Sequence, residues 1–321
     1  MKYDLVFEGG GAKGMVFVGA YEEFEKRGHT IGRLLGTSAG AITATLLAAG
    51  YTSHEMLNAL NEREKGKPVF AGFMGEPAPF TEGEIRSSAI RTLLRNINIK
   101  ILPDILENRV DDSIAQMLAE NPRYRHFFAF VERGGWYSAE RFVSWLQARL
   151  DSGPWKGRVR RFSSMNLGQF FAETEIDLSV VASDTTDGRL LVFNHHTAPD
   201  CPLVWAVRMS MSIPLVWDEV VWSQSWGTYL GQDIKGHTIV DGGLLSNFPI
   251  ELFISDEPQV THLMGPKRNN AVIGLLIDES LPVSPAPRAR GLWVDVEVKP
   301  EELRTVQRLR RLANTVTTAH D

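Results

Sequence analysis

Apolar positions follow two periods along this chain. Residues 3–8 (YDLVFE) form an apolar run of strand length, and 14–27 (GMVFVGAYEEFEKR) repeat apolar positions at helical spacing. Val16, Ala20 and Phe24 share one stripe of that helix, and Gly28 is its stop. A second apolar run, 31–36 (IGRLLG), passes into 37–50 (TSAGAITATLLAAG), whose Ala and Leu content predicts a buried helix closed by Gly50. The opening therefore predicts β-α-β-α, the order of a parallel sheet with helices on its faces. Thr52 with Glu55 and Thr81 with Glu84 are capping boxes and mark two helix starts. Between them, 66–80 is dense in Gly and Pro and broken by Phe70, Phe73 and Phe80, which predicts a long loop with exposed or half-exposed apolar side chains. Helices are predicted over about 84–96, 104–119 and 139–150.

From 176 the period shortens. IDLSVVASD and RLLVFNH are strand-like and are joined by Thr185-Thr186-Asp187-Gly188, a hairpin turn with Gly where positive φ is easiest. A helix over 202–211 ends at Pro214. Strands follow over VWDEVVW, over HTIV at 237–240 and, fully buried, over AVIGLLID at 271–278, with an Arg-rich helix at about 300–316. No repeat, low-complexity tract or linker divides the chain, so one domain over 1–321 is expected.

Composition narrows the function. The 321 residues are 43% hydrophobic and 23% charged, enough for a large core, and the net charge of −5 argues against a nucleic-acid binder, which needs a surplus of Lys and Arg. The single cysteine, Cys201, excludes a disulfide framework and is expected to be a buried free thiol. No apolar run reaches the length of a membrane span, and the N-terminus enters a strand at once, so the expected location is cytoplasmic.

Two glycine motifs carry the candidate chemistry. Gly9, Gly11 and Gly14 in GGGAKG fit the dinucleotide fingerprint G-x-G-x-x-G. That reading requires an acidic residue at the end of the second strand to hold a ribose hydroxyl. Here the strand end is Leu34-Leu35-Gly36-Thr37-Ser38, with Arg33 the only charge. Gly36-Thr37-Ser38-Ala39-Gly40 is a G-x-S-x-G pentapeptide between a predicted strand and a predicted helix, the setting of a nucleophile elbow. Such a turn places the Ser38 hydroxyl at a helix N-terminus, where the dipole and the Ala39 N–H favour a developing anion. By itself, the pentapeptide is also compatible with glycines that merely ease a βα turn. A serine nucleophile needs a base, and none of the eight histidines lies in a motif of catalytic appearance. Asp241, at the end of the apolar strand in TIVDGGLLSNFP and followed by Gly242 and Gly243, is the better candidate. A carboxylate at the carboxyl end of a parallel strand is where open α/β sheets place catalytic groups; an Asp-Gly turn with only a backbone role is the alternative.

Taken together, Gly9-Gly10-Gly11-Ala12-Lys13-Gly14, Gly36-Thr37-Ser38-Ala39-Gly40, Ser212-Ile213-Pro214, and Asp241-Gly242-Gly243 with Asn247 and Pro249 resemble, in order, the four blocks of the patatin-like phospholipases. The resemblance covers about residues 3–280. It implies a three-layer α/β/α fold with a mainly parallel central sheet and a Ser-Asp dyad that hydrolyses acyl esters of lipids through an acyl-enzyme. By position it makes Ser38 the nucleophile, Asp241 the base, and Gly9, Gly10 and Gly11 the oxyanion loop, with Ala39 beside them; Gly14, Gly36, Gly40, Gly242 and Gly243 support the motifs. It implies no metal and no cofactor. Asp184, in ASDTTDGRLLVFN, is expected to be structural. Glu8 and the methionines flanking Ser210, Met209 and Met211, are mild departures.

Substrate and surface are left more open. The middle third, about 55–175, and the extension over 281–321 match no block. The Phe-rich loop and Trp217, Trp222 and Trp226 are read either as an apolar mouth for acyl chains or a bilayer surface, or as aromatics packed on the core. KGRVRR (156–161) and RTVQRLRRL (304–312) are read either as headgroup contacts or as solvated faces. The expected substrate is a phospholipid, with a carboxylesterase or lipase on simple esters as the alternative and a partner- or ligand-switched lipid effector as a further one.

Overall fold

The computed structural model describes residues 1–64, 66–96, 104–267, 269 and 271–278. The opening β-α-β-α is as expected: β1 (Lys2–Phe7), α1 (Val16–Lys26), β2 (Thr30–Thr37) and α2 (Ala39–Ala48). A 3-10 turn over Gly11–Met15 leads into α1. Phe17, Val18, Tyr21 and Phe24 of α1 face the core, while Val16, expected on the buried stripe, is exposed at the first position after that turn.

Both capping boxes form. Thr52 starts α3 (Ser53–Leu60) and Thr81 starts α4 (Glu82–Arg86), each hydroxyl accepting the N3 amide while the N3 glutamate accepts the threonine's own amide. The helix expected over 84–96 is broken at Ser87 and Ser88, and resumes as α5 (Ala89–Asn96), with Ser88 Oγ accepting the Arg91 amide. Then come α6 (Asp104–Glu120), α7 (Pro122–Glu132), α8 (Glu140–Leu150) and α9 (Leu167–Thr174), of which α7 and α9 were not expected. Two-residue hairpins, β3–β4 (Arg63–Glu64, Lys67–Pro68) and β6–β7 (Pro154–Trp155, Arg158–Val159), and the short β5 (Gly135–Tyr137) fill the connections.

The second half supplies β8 (Leu178–Asp184), β9 (Arg189–Phe193), α10 (Leu203–Ser210), β10 (Leu215–Trp217), β11 (Val220–Val221), β12 (Thr238–Asp241), α11 (Glu251–Ile254), α12 (Pro258–Met264) and β13 (Val272–Leu275). The strand expected over 216–222 is thus two. β10 joins β5, and β11 joins β12 at the rim of the main sheet. β13 pairs in parallel with β1 as an edge strand and is half-exposed, where full burial was expected. The helix expected at 300–316 lies outside the described residues.

The main sheet has seven strands. β13, β1, β2 and β8 run parallel, and β9 and β12 run antiparallel to β8. Alternation along the strands builds the layers. Leu5, Phe7, Leu34, Val180, Ala182, Leu191 and Phe193 point into one core with α1, α2 and α10, whereas Val6, Leu35, Val181 and Val192 point into another with Leu252, Phe253 and Met264 of α11 and α12. The result is helix, sheet, helix. A satellite core of Ile85, Ile90, Ala115, Ala119 and Phe128 holds α4–α7 together. Among the described residues, no helix is long and apolar enough to cross a membrane.

One feature of the sheet positions the site. β9 covers residues 180–184 along one edge of β8. On the other edge β2 pairs residues 178–181 and β12 pairs 182–184, so the two share that edge end to end. They run toward each other, with Thr37 opposite Val181 and Asp241 opposite Ala182. The carboxyl ends of two strands about 200 residues apart in sequence therefore meet on neighbouring residues of β8.

Candidate active site

Between β2 and α2 only Ser38 makes the turn. Its backbone lies at φ 52° and ψ −117°, a conformation that a residue with a Cβ adopts only where the surroundings impose it. The flanking glycines are required by close approach. A Cβ on Gly36 would stand 2.3 Å from the Gly40 carbonyl oxygen, and one on Gly40 2.2 Å from that of Phe7. Ser38 is the N-cap of α2, and the following amides, Ala39 first, form the positive end of the helix dipole.

Asp241 arrives from the last position of β12. This strand is antiparallel to β8, a correction to the expected parallel setting, and the carboxylate reaches the site because β8 extends past the end of β2. Ser38 Oγ donates to Asp241 Oδ2 at 2.6 Å, and the Gly243 amide donates to Oδ1 at 2.8 Å. Ser38 is 6% exposed and Asp241 4%. Burial raises the Asp241 carboxyl to about 7, against the lowering effect of the Ser38 and Gly243 hydrogen bonds. Gly242 is needed sterically, because a Cβ there would lie 2.4 Å from the Val181 carbonyl oxygen.

The 9–11 loop lies beside the serine: a Cβ on Gly9 would be 3.3 Å from Ser38 Cβ and 2.3 Å from Asn247 Oδ1. The Gly9 amide donates to the Asn247 carbonyl at 3.0 Å, so it is engaged in bracing the loop. Asn247 Nδ2 donates in turn to the Gly9 carbonyl and to Glu8 Oε1, each at 3.1 Å, and Glu8 Oε2 accepts the Ile277 amide at 2.6 Å. Gly11 has φ 54°, and Gly14 packs where a Cβ would meet Ala39 Cβ at 2.7 Å. Ser38, Asp241, the elbow glycines and Gly9 and Gly14 of the loop are thus packed together.

Behind this centre stand Ser212, noted in the sequence only as part of a block, and Ser210 and Arg208, to which no role was given. Ser210 Oγ accepts the Ser38 amide at 2.9 Å and donates to the Val181 carbonyl at 2.6 Å, and the Ser212 carbonyl accepts the Asp241 amide at 2.9 Å. Arg208, almost wholly buried, donates to Ser212 Oγ and, at 2.7 Å each, to the carbonyl and carboxylate of Asp218. The alternation Arg208-x-Ser210-x-Ser212 ahead of Pro214 is the signal that could have found them. Glu8 and Asn247, noted only as part of the blocks, are the loop's braces.

Other candidates lie apart from the dyad. Asp184 is fully buried; burial raises its pKa, but hydrogen bonds from His237 and the Asp187 and Thr186 amides outweigh that and hold it below the ordinary range. It caps the β8–β9 turn, as expected of a structural residue. Two groups among the described residues have metal-ligand spacing, Asp177 with His195 and His196, and Asp184 with Asp187 and His237. Neither includes Ser38 or Asp241, and in the second Arg189 already ion-pairs with both aspartates. Cys201 is a buried thiol whose pKa burial pushes up.

Of the two readings of the Phe-rich loop and the tryptophans, packing on the core describes the tryptophans and Phe73. Trp222 and Trp226 are buried, Trp217 is half-buried with its Nε1 on the Phe73 carbonyl, and Phe73 packs on Phe142 and Trp145. KGRVRR is not simply a basic face. Arg160 is buried on the carbonyls of Ala49, Gly50 and Ser152 and on Glu55, and Arg158 pairs with Glu173. RTVQRLRRL lies outside the described residues.

A family model described as patatin-like phospholipase matches residues 5–254. The chain belongs to the patatin-like phospholipase family. It is 32% identical over 259 residues to the uncharacterized protein YqhO of Bacillus subtilis (strain 168), covering 79% of this chain and 67% of YqhO. It is 20% identical over 251 residues to the probable lipid hydrolase 463L of Invertebrate iridescent virus 6, covering 78% and 62%. Among solved structures, VipD from Legionella pneumophila superposes with a TM-score of 0.41 at 18% identity, covering 85% of this chain and 49% of VipD. The matched region thus spans about two thirds of these curated relatives and half of VipD. Family membership places this patatin-like chain among lipid ester hydrolases.

Proposed function

We propose that this chain is a lipid acyl hydrolase of phospholipase A type, working through a Ser38–Asp241 dyad and an acyl-enzyme. The observation that carries this reading is the 2.6 Å hydrogen bond from Ser38 Oγ to a buried Asp241 carboxylate, made from a turn held at φ 52°. Ionised Asp241 takes the Ser38 proton as Oγ attacks the ester carbonyl. The oxyanion that forms is held by the amides of Gly10, Gly11 and Ala39 at the head of α2; the Gly9 amide, engaged by Asn247, braces the loop. Protonated Asp241 returns the proton to the leaving alcohol, so the ester C–O bond breaks and the acyl group stays on Ser38. Water, deprotonated by the same carboxylate, then attacks the acyl carbonyl; the bond to Ser38 Oγ breaks, Oγ takes the proton back from Asp241, and the fatty acid leaves. Among the described residues no side chain other than Ser38 hydrogen-bonds the Asp241 carboxylate. Its orientation comes from the Gly243 amide, a bond that needs no side chain.

The test sets release of fatty acid from phosphatidylcholine vesicles beside hydrolysis of a short-chain nitrophenyl ester, with wild type and Ser38→Ala. Release of fatty acid from vesicles, abolished by Ser38→Ala, is expected. Turnover of the short ester alone would replace the phospholipase reading with a simple esterase, and activity retained in Ser38→Ala would remove the dyad.

A further inference from the structure

We infer that Ser210 is a positioning residue for the nucleophile, acting on the Ser38 backbone and not on the substrate. The inference rests on the dyad reading above. The elbow has a structural problem: β2 and its ladder end at Thr37, so the Ser38 N–H lies just past the strand pairing, in a region with almost no solvent. A buried amide without an acceptor is costly, and an elbow that relaxed to satisfy it would swing Oγ off Asp241. The Ser210 hydroxyl answers this. It accepts from Ser38 N at 2.9 Å and directs its own proton to the Val181 carbonyl at 2.6 Å, so both hydroxyl roles are used. Val181 is the β8 residue opposite Thr37, and Ala182 beside it is opposite Asp241. The hydroxyl therefore pins the elbow to the point of the sheet where the base arrives. Two residues on, the Ser212 carbonyl takes the Asp241 amide at 2.9 Å, so one short segment at the end of α10 fixes both partners.

The arrangement has a consequence for the oxyanion. Many serine hydrolases use the amide of the nucleophile itself as an oxyanion donor. Here that N–H is committed to Ser210, which leaves Gly10, Gly11 and Ala39 to hold the charge.

The experiment compares Ser210→Ala, Ser210→Cys (close in volume but a poor acceptor) and Ser210→Thr (hydroxyl retained) on a soluble nitrophenyl ester. Ser38→Ala and melting temperatures are measured alongside. Loss of registry of this kind costs about 10- to 100-fold. The expected result is a fall of that size in kcat and in the rate of fluorophosphonate labelling for Ala and Cys. KM should stay within about twofold, the pH midpoint of kcat/KM should be unmoved because the Asp241 contacts remain, and Thr should recover most of the rate. If Ser210→Ala does not fold, the Cys and Thr pair decides. A kcat within about twofold of wild type in the Cys variant, or equal losses in Cys and Thr, would overturn the inference while an inactive Ser38→Ala left the dyad standing. An active Ser38→Ala would instead remove the reading on which it rests.

Discussion

Replacing Asp241 by asparagine separates what the site costs from what it does. In the folded chain burial holds this carboxyl near 7, whereas an unfolded chain ionises it at about 3.9. Below that lower value both states carry the proton and the group contributes no pH dependence. Between about 4 and 7 the native state keeps a proton that the unfolded state releases, so native stability falls as pH rises. Above about 7 the loss is complete. A difference of about three pH units at about 1.4 kcal/mol each gives about 4 kcal/mol. Asparagine has nearly the same shape, keeps an acceptor for the Gly243 amide and does not titrate. The stability of Asp241→Asn relative to wild type should therefore grow by about 4 kcal/mol between pH 4 and pH 8, a relative shift in urea midpoint on the order of 1 M. The other titrating groups are common to both proteins and cancel in the difference. The assay is reversible urea unfolding of both proteins at several pH values, with ester hydrolysis measured on the same samples. Turnover by the variant should fall by about 10² to 10⁴. A stability gap that does not change with pH would refute the reasoning, because it would mean that the carboxyl is not held protonated by burial.

Other outcomes follow from the same geometry. Because Asp241 must be ionised to act as base, wild-type kcat/KM should rise with pH to a plateau above about 7; a profile already flat from pH 5 would contradict this. Gly40→Ala drives a Cβ to 2.2 Å from the Phe7 carbonyl oxygen and should abolish activity or folding, seen as loss of fluorophosphonate labelling and a lowered melting temperature. Gly19→Ala, on an exposed position of α1 with open space around it, should stabilise by about 0.8–1 kcal/mol in urea unfolding without altering kinetics. Arg160→Met leaves the Ala49 and Gly50 carbonyls and Glu55 without their guanidinium and should destabilise by about 3 kcal/mol or more, with catalysis in the surviving folded fraction unchanged.

The parts legible in the sequence are those whose cause is local. The strand, elbow and helix around Ser38 were readable because a tight turn needs Gly36 and Gly40 within a few residues, and the two capping boxes because a hydroxyl and a carboxylate three residues apart satisfy each other. Asp241 was found as a residue, but its strand direction was not, since pairing with β8 is set by contacts about 60 residues away. The same non-locality hid the shared edge of β8 and the role of Ser210, whose partners Ser38 and Val181 lie far off in the chain. Packing of the tryptophans on the core was one of the two readings of their sequence, whereas burial of Arg160 has no sequence signal. Arg160 is held by the carbonyls of Ala49, Gly50 and Ser152, and composition says nothing of which side of a loop faces inward.

The central claim is that Ser38 is a nucleophile made reactive by Asp241. Fluorophosphonate labelling followed by peptide mass spectrometry tests it most directly, with wild type compared to Asp241→Asn at pH 8. A single adduct on the peptide containing Ser38 is expected, formed at least about 100-fold more slowly when Asp241 is replaced. An adduct elsewhere, or labelling of Ser38 at the same rate in both proteins, would contradict it.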